Sequence, residues 1–280
     1  MNKLSRILVL SVISIVVLTG CSEFDKFENK KETGIREKYL VDKIYDYHNN
    51  LLAEYIYDED NRLTKRVVKD RIVESHRTIE RRWEDEFEYK DERIIKIKTY
   101  NRYIDNSSTG FRQENNTETI FEYNSRGELI KSGDLSFRYE NGRVVGYLNE
   151  NKGSFFITDT IVYNNSDNVT QHINIYPELN MFGQPIAGTT RRVVNKFNYD
   201  NKPKPNFGID YLFAYDPFPY LEEAELERRL SKNNMTEYVG KSKWSYTYNK
   251  QGLPITIEIK WKDVETLEPM LMRITYKSIE

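Results

Sequence analysis

The residue types that most often carry chemistry are few in this chain, and their spacing argues against most reactions. His48, His76 and His172 are the only histidines, and they lie too far apart in sequence to show the close pairing of a metal motif. A surface or hairpin position is the expected place for each. Gly240-Lys241-Ser242 copies the end of a phosphate-binding loop, but Met235 stands where its first glycine belongs. No Gly-x-Ser-x-Gly elbow is present, so serine hydrolysis lacks a starting point. The 44 acidic residues allow many carboxylate pairs, yet spacing along a chain cannot select one, and most such charges are solvated on strand faces. The expectation is therefore a protein that is not an enzyme, with no catalytic residue, cofactor or metal site. Trp83, Trp244 and Trp261 are the remaining candidates, since exposed tryptophans stack on sugar rings. Against that role, Trp244 and Trp261 continue apolar strand faces, where large aromatics usually pack inward.

One residue does have a definite chemistry. Cys21 is the single cysteine, so no disulfide framework exists. It follows Leu18-Thr19-Gly20, a run of small residues that looks like a bacterial lipobox. Lys3 and Arg6 make a positive start, and Ile7 to Leu18 is apolar except for Ser11 and Ser14. That run is shorter than the ~20 apolar residues of a spanning helix and suits a signal peptide. Residues 1–20 are thus expected to be removed and the Cys21 thiol to be acylated, with palmitate among the chains. Each buried methylene contributes ~0.8 kcal/mol, so several chains anchor where one would not. Residues 21–38 read as lipid anchor and polar tether, and 39–280 as a single β-rich domain. Ser22 after the cysteine points to the outer membrane, with the periplasmic or cell-surface face left open.

Removal of residues 1–20 takes Lys3 and Arg6 with it, leaving 40 basic residues against 44 acidic ones. Both signs are interspersed, which argues against nucleic acid as a partner. Charged residues form 31% of the chain, yet 21 tyrosines and 13 phenylalanines exclude simple disorder and favour strands.

Those aromatics recur in a loose repeat: an aromatic pair, a polar turn, then an aliphatic strand. Copies begin at Tyr45, Tyr57, Phe87, Phe121, Phe137, Val162 and Tyr246. Each predicts a β-hairpin whose Asn, Asp or Gly residues take the turn positions, Asn141-Gly142 being the strongest signal. Near the C-terminus, Ile255, Ile257, Ile259 and Trp261 alternate with Thr256, Glu258, Lys260 and Lys262. Trp244, Tyr246 and Tyr248 before them, and Met270, Met272, Ile274 and Tyr276 after, extend the same apolar face. Four prolines between 203 and 219 break the pattern, and Leu221–Leu230 predicts one short helix, acidic at its start and ended by Asn233-Asn234. The fold class expected is all-β: a long, curved antiparallel meander of hairpins, open or half-barrel-like, with the helix closing one end.

The hairpin copies resemble the tyrosine–aspartate repeats of bacterial surface proteins. Phe197 to Pro205 (FNYDNKPKP), with Ser231-Lys232-Asn233-Asn234 beyond the helix, looks like a Bacteroidota lipoprotein family of unknown function described as having a porin-like fold. The resemblance covers about residues 40–276 and implies the curved sheet, but no activity and no catalytic residues. A membrane-spanning barrel is not expected, because Glu84, Glu86 and Glu88 fall on one face of their strand. Two functions remain in view: a non-enzymatic binding protein, with a glycan or an envelope protein as partner, or a periplasmic carrier of lipid or another apolar ligand.

Overall fold

The computed structural model describes residues 38–74, 77–106, 110–149, 158–182, 184, 186–209, 224–262 and 268–279. Residues 1–37, which hold the expected signal peptide, Cys21 and most of the expected tether, lie outside the described residues, as does His76. The first half of the sheet holds β1 (Tyr39–Asp46), β2 (Leu51–Tyr57), β3 (Leu63–Glu74), β4 (Arg77–Lys90), β5 (Arg93–Asp105), β6 (Arg112–Tyr123), β7 (Leu129–Ser132) and β8 (Leu135–Glu140). The second holds β9 (Arg143–Asn149), β10 (Thr158–Tyr163), β11 (Val169–Tyr176), β12 (Arg191–Pro203), β13 (Asn233–Tyr238), β14 (Ser242–Tyr248), β15 (Pro254–Trp261) and β16 (Met270–Ser278). One helix, α1 (Glu225–Leu230), lies between β12 and β13.

All sixteen strands form one antiparallel sheet in the order β10 to β16, then β1 to β9. The chain's first and last strands therefore pair in mid-sheet, Tyr39 opposite Ser278 and Ile44 opposite Ile274. The sheet curls into a nearly closed barrel whose one seam falls between β9 and β10. Side chains cross that seam. The Tyr163 hydroxyl donates to the Val144 carbonyl at 2.9 Å, Arg143 is ion-paired with Asp167, and its guanidinium lies 5.8 Å from the Tyr163 ring centre.

Connections after even-numbered strands share one rim, together with the start of β1 and the end of β16; connections after odd-numbered strands share the other. We call these the lower and upper rims. The sequence repeat is a lower-rim device. In it an Asp or Asn side chain accepts from the amides two and four residues on, as Asn124 does from Arg126 (2.9 Å) and Glu128 (3.1 Å). Asp58, Asn164 and Asn249 build the same turn on this rim, and Asp46 builds it on the upper one. The fourth residue must enter the left-handed region, and Asn61, Gly127, Asp167 and Gly252 do so at φ 62°, 81°, 59° and 78°.

The tyrosine before each turn swings back toward its neighbour hairpin. Tyr89 donates to Leu63 O at 2.8 Å and Tyr123 to Ile94 O at 2.5 Å, repeating the Tyr163 bond across the seam. Burial pushes the Tyr89 and Tyr163 hydroxyls up, so they remain protonated donors. The residues receiving these bonds, Leu63, Ile94 and Val144, are buried at the exit of the preceding turn. The repeat thus sews each hairpin to the next.

Apolar side chains of the inner face meet in one cluster that runs from Val41 and Ile44 through Leu63, Ile97 and Phe121 to Trp244, Ile257 and Met272. The three C-terminal strands share one buried face, as their alternation predicts. Among the described residues the helix falls within the predicted span and ends, as predicted, at Leu230. Ala224 opens it at φ 53° and Ser231, not Asn233-Asn234, ends it, because Asn233 and Asn234 begin β13.

Candidate functional site

The most chemically dense part of the interior lies under α1. The connection leaving β12 folds inward at the lower rim: Phe207 is fully buried against Tyr55, ring centres 4.9 Å apart, and the Asn206 carbonyl accepts from Val41 N at 2.7 Å. Lys204 Nζ donates to the carbonyls of Arg228 (2.8 Å) and Arg229 (3.2 Å), placing a cation on the helix's C-terminal end. On the other side, Glu227 is hydrogen-bonded to His172 Nδ1 of β11, and both side chains are buried. Ser231 Oγ donates to Glu227 O at 2.7 Å and accepts from Val169 N at 2.9 Å.

A second polar group joins β12, β13 and β14. Asp200 binds the Tyr248 hydroxyl and accepts from Asn234 Nδ2 at 3.3 Å; Asn234 Nδ2 also donates to Pro203 O at 3.1 Å. Asn168 and Asn233 exchange side-chain and backbone bonds of 2.9 and 2.8 Å. The two segments that carry the family resemblance, Phe197–Pro205 and Ser231–Asn234, therefore meet in space. Burial drives the Tyr246 hydroxyl beside them well above its ordinary value; it donates to Met235 O at 2.7 Å. These bonds tie three strands and a helix together. They describe a clamp: each carboxylate already serves a structural partner.

A third polar group sits on the inner face of β3–β5. Asp85 is buried, accepting from Arg66 Nε (2.8 Å) and from Thr99 Oγ1 (2.7 Å). The sequence held one signal for it, an acid between Trp83 and Phe87 on the aromatic face of a strand whose Glu84, Glu86 and Glu88 point the other way. The His172–Glu227 pair, 55 residues apart, had none.

The outer face of β3–β6 is a charge lattice. Lys65 contacts Glu84 at 2.6 Å and Glu86 at 3.5 Å; Lys98 contacts Glu88 at 2.5 Å, and Lys96 reaches Glu88 and Glu118 at 3.8 and 3.5 Å. Glu84 and Glu88 are held below the ordinary carboxylate range, first by hydrogen bonds from Lys65 and Lys98.

Trp244 and Trp261 are diagonal neighbours on β14 and β15, opposite Ile259 and Ser242, whereas Trp83 lies on β4. Trp244 is buried, its Nε1 donating to Ser242 Oγ at 3.0 Å and its ring covered by the Arg228 guanidinium at 4.8 Å. That occupancy removes it as an outward sugar platform, in keeping with its apolar strand face. Trp83 and Trp261 are half-buried against the core cluster. His48 is an exposed upper-rim turn residue beside Tyr47, ring centres 3.6 Å apart. Among the described residues no group of three or more His, Cys, Asp or Glu is placed to hold a metal ion.

Solved structures similar to this chain include two porin-like proteins. One from Bacteroides uniformis has a TM-score of 0.38 and 13% identity, covering 80% of this chain and 90% of its own. One from Bacteroides vulgatus has a TM-score of 0.37 and 14% identity, covering 86% of this chain and 100% of its own. No protein-family description and no curated protein matches the sequence.

Proposed function

We propose that the chain is a lipoprotein of the outer membrane, anchored through Cys21, whose barrel-like sheet is a non-enzymatic surface for a glycan or an envelope protein. The observation that carries this reading is the contrast between the two faces of the sheet. Many inward side chains join a packed cluster or the clamp under α1, although Arg112 to Glu118 of β6 are exposed on both faces, whereas the outward face of β3–β6 is a hydrated array of paired charges. A surface of that kind recognises through many weak polar contacts and not by enclosing a ligand. The carrier alternative needs room behind the sheet, where Phe207, Trp244 and the α1 clamp now sit. The same charges speak against outward contact with lipid chains, since a lysine at the bilayer mid-plane costs about 2–4 kcal/mol.

Two measurements test the reading together. Radiolabelled palmitate should enter the wild-type chain and not the Cys21→Ser variant; incorporation without Cys21 overturns the anchor. Protease shaving of intact and lysed cells, read with an antibody to the C-terminal strands, assigns the face. Cleavage in whole cells places the body outside, and protection until lysis places it in the periplasm. Failure of the folded body to bind either envelope polysaccharide or envelope proteins removes the binding role.

A further inference from the structure

The β11–β12 connection at the upper rim contains the same turn as the hairpin repeat, with one difference. Asn180 Oδ1 accepts from Phe182 N at 2.9 Å and Gln184 N at 3.0 Å, and Asn180 N donates to Gln184 O at 2.8 Å. A further bond from Ile186 N to Glu178 O at 2.8 Å closes the base. In the other copies the two residues after the capping Asp or Asn are mostly polar: Tyr47-His48, Glu59-Asp60, Ser125-Arg126, Asn165-Ser166 and Lys250-Gln251. Here they are Met181 and Phe182, exposed to 89% and 80%, flanked by exposed Leu179 and Ile186. The turn is satisfied by its backbone and Asn180, so its geometry does not call for apolar tip residues. An apolar group held outward at this cost in solvation marks a contact surface.

Exposed Arg191 and Arg192 stand directly behind the tip, where the connection enters β12. Glu178, at the base, is an exposed acid, so the two arginines leave a net positive charge behind the apolar tip. An apolar tip backed by net positive charge matches the layering of a membrane interface, with acyl chains below anionic headgroups. We propose that the exposed side chains of Leu179, Met181, Phe182 and Ile186 insert into a lipid surface bearing anionic headgroups, a second and non-covalent membrane contact that does not depend on Cys21. It lies at the opposite rim from the start of β1, where the tether joins the body.

That opposition gives the test. The full chain carrying Phe182→Cys or, on the lower rim, Lys250→Cys is labelled with an environment-sensitive fluorophore and mixed with phosphatidylethanolamine–phosphatidylglycerol vesicles containing brominated acyl chains. The unsubstituted chain, labelled in parallel, supplies the background from Cys21. The expected result is quenching severalfold greater at position 182 than at 250, reduced when phosphatidylglycerol is omitted. Quenching at 250 but not at 182, or at neither, overturns the proposal and leaves acylation of Cys21 to its own assay. Shielding of the 182 probe only when envelope proteins are added, with no effect of lipid, also overturns it and assigns the tip to a protein partner.

Discussion

Single side chains hold this sheet together in a repeated way, so their loss should have similar consequences at each repeat. Asn124→Ala removes two backbone acceptor bonds and is expected to destabilise by about 1–2 kcal/mol, read from the denaturant midpoint. Tyr89→Phe removes only the bond to Leu63 O and should cost about 1 kcal/mol. Gly208 is less forgiving. At φ 70° an added Cβ would lie 2.9 Å from the Asn61 carbonyl oxygen and 2.9 Å from the Tyr57 ring. Gly208→Ala should therefore exceed about 1 kcal/mol and displace the Phe207 plug, visible as faster exchange of the Val41 amide. The Asp and Asn turn residues were legible because their chemistry is local: an acceptor, a left-handed residue three positions on, and a tyrosine before. Asp85 was half legible, since strand alternation placed it inward but nothing local named Arg66 and Thr99 as its partners.

At the scale of elements, α1 is held more by its surroundings than by its own turns. Six residues form too short a helix to stand alone. Lys204 supplies the charge at its C-terminal end, and Glu227 fixes its inner face to β11. Glu227→Ala leaves a buried His172 without its carboxylate partner and should cost about 3 kcal/mol, while Glu227→Gln keeps a hydrogen bond and costs less; the β11 amides report the difference by hydrogen exchange. The sequence predicted the helix and its last residue, Leu230, but misread the stop signal. Asn233 and Asn234 resemble a helix stop, yet their side chains serve Lys202 O, Pro203 O and Asp200 across strands, a long-range demand that outweighs local preference. The outer charge lattice has a pH signature. Glu84 is depressed in the folded state, so its contribution is present above the unfolded carboxylate value and fades as pH falls through the folded one. Glu84→Gln should remove that part of the acid dependence and flatten the unfolding curve at low pH, whereas an unchanged profile would assign the acid loss elsewhere.

Across the whole molecule, alternation and turn chemistry predicted an all-β meander of neighbouring hairpins, which the strand order follows except where β16 meets β1. Hairpins pair with their sequence neighbours by local rules, whereas the β1–β16 ladder joins residues at opposite ends of the chain and has no local signature. A chain ending before Met270 should lose cooperative unfolding and gain aggregation, because β1 and β15 both become open edges; a soluble, cooperatively folding truncation would show that the barrel does not need its closing strand.

That mid-sheet pairing of first and last strands has a meaning in time. As the chain emerges, β1 can pair with β2 at once, but its other flank waits until β16 arrives, after every other strand has been made. The sheet therefore remains incomplete until β16 has been made, a slow arrangement for a fold dominated by long-range pairing. The final ladder is a checkpoint on synthesis: only a chain made as far as Ser278 can cover the edge exposed at Tyr39.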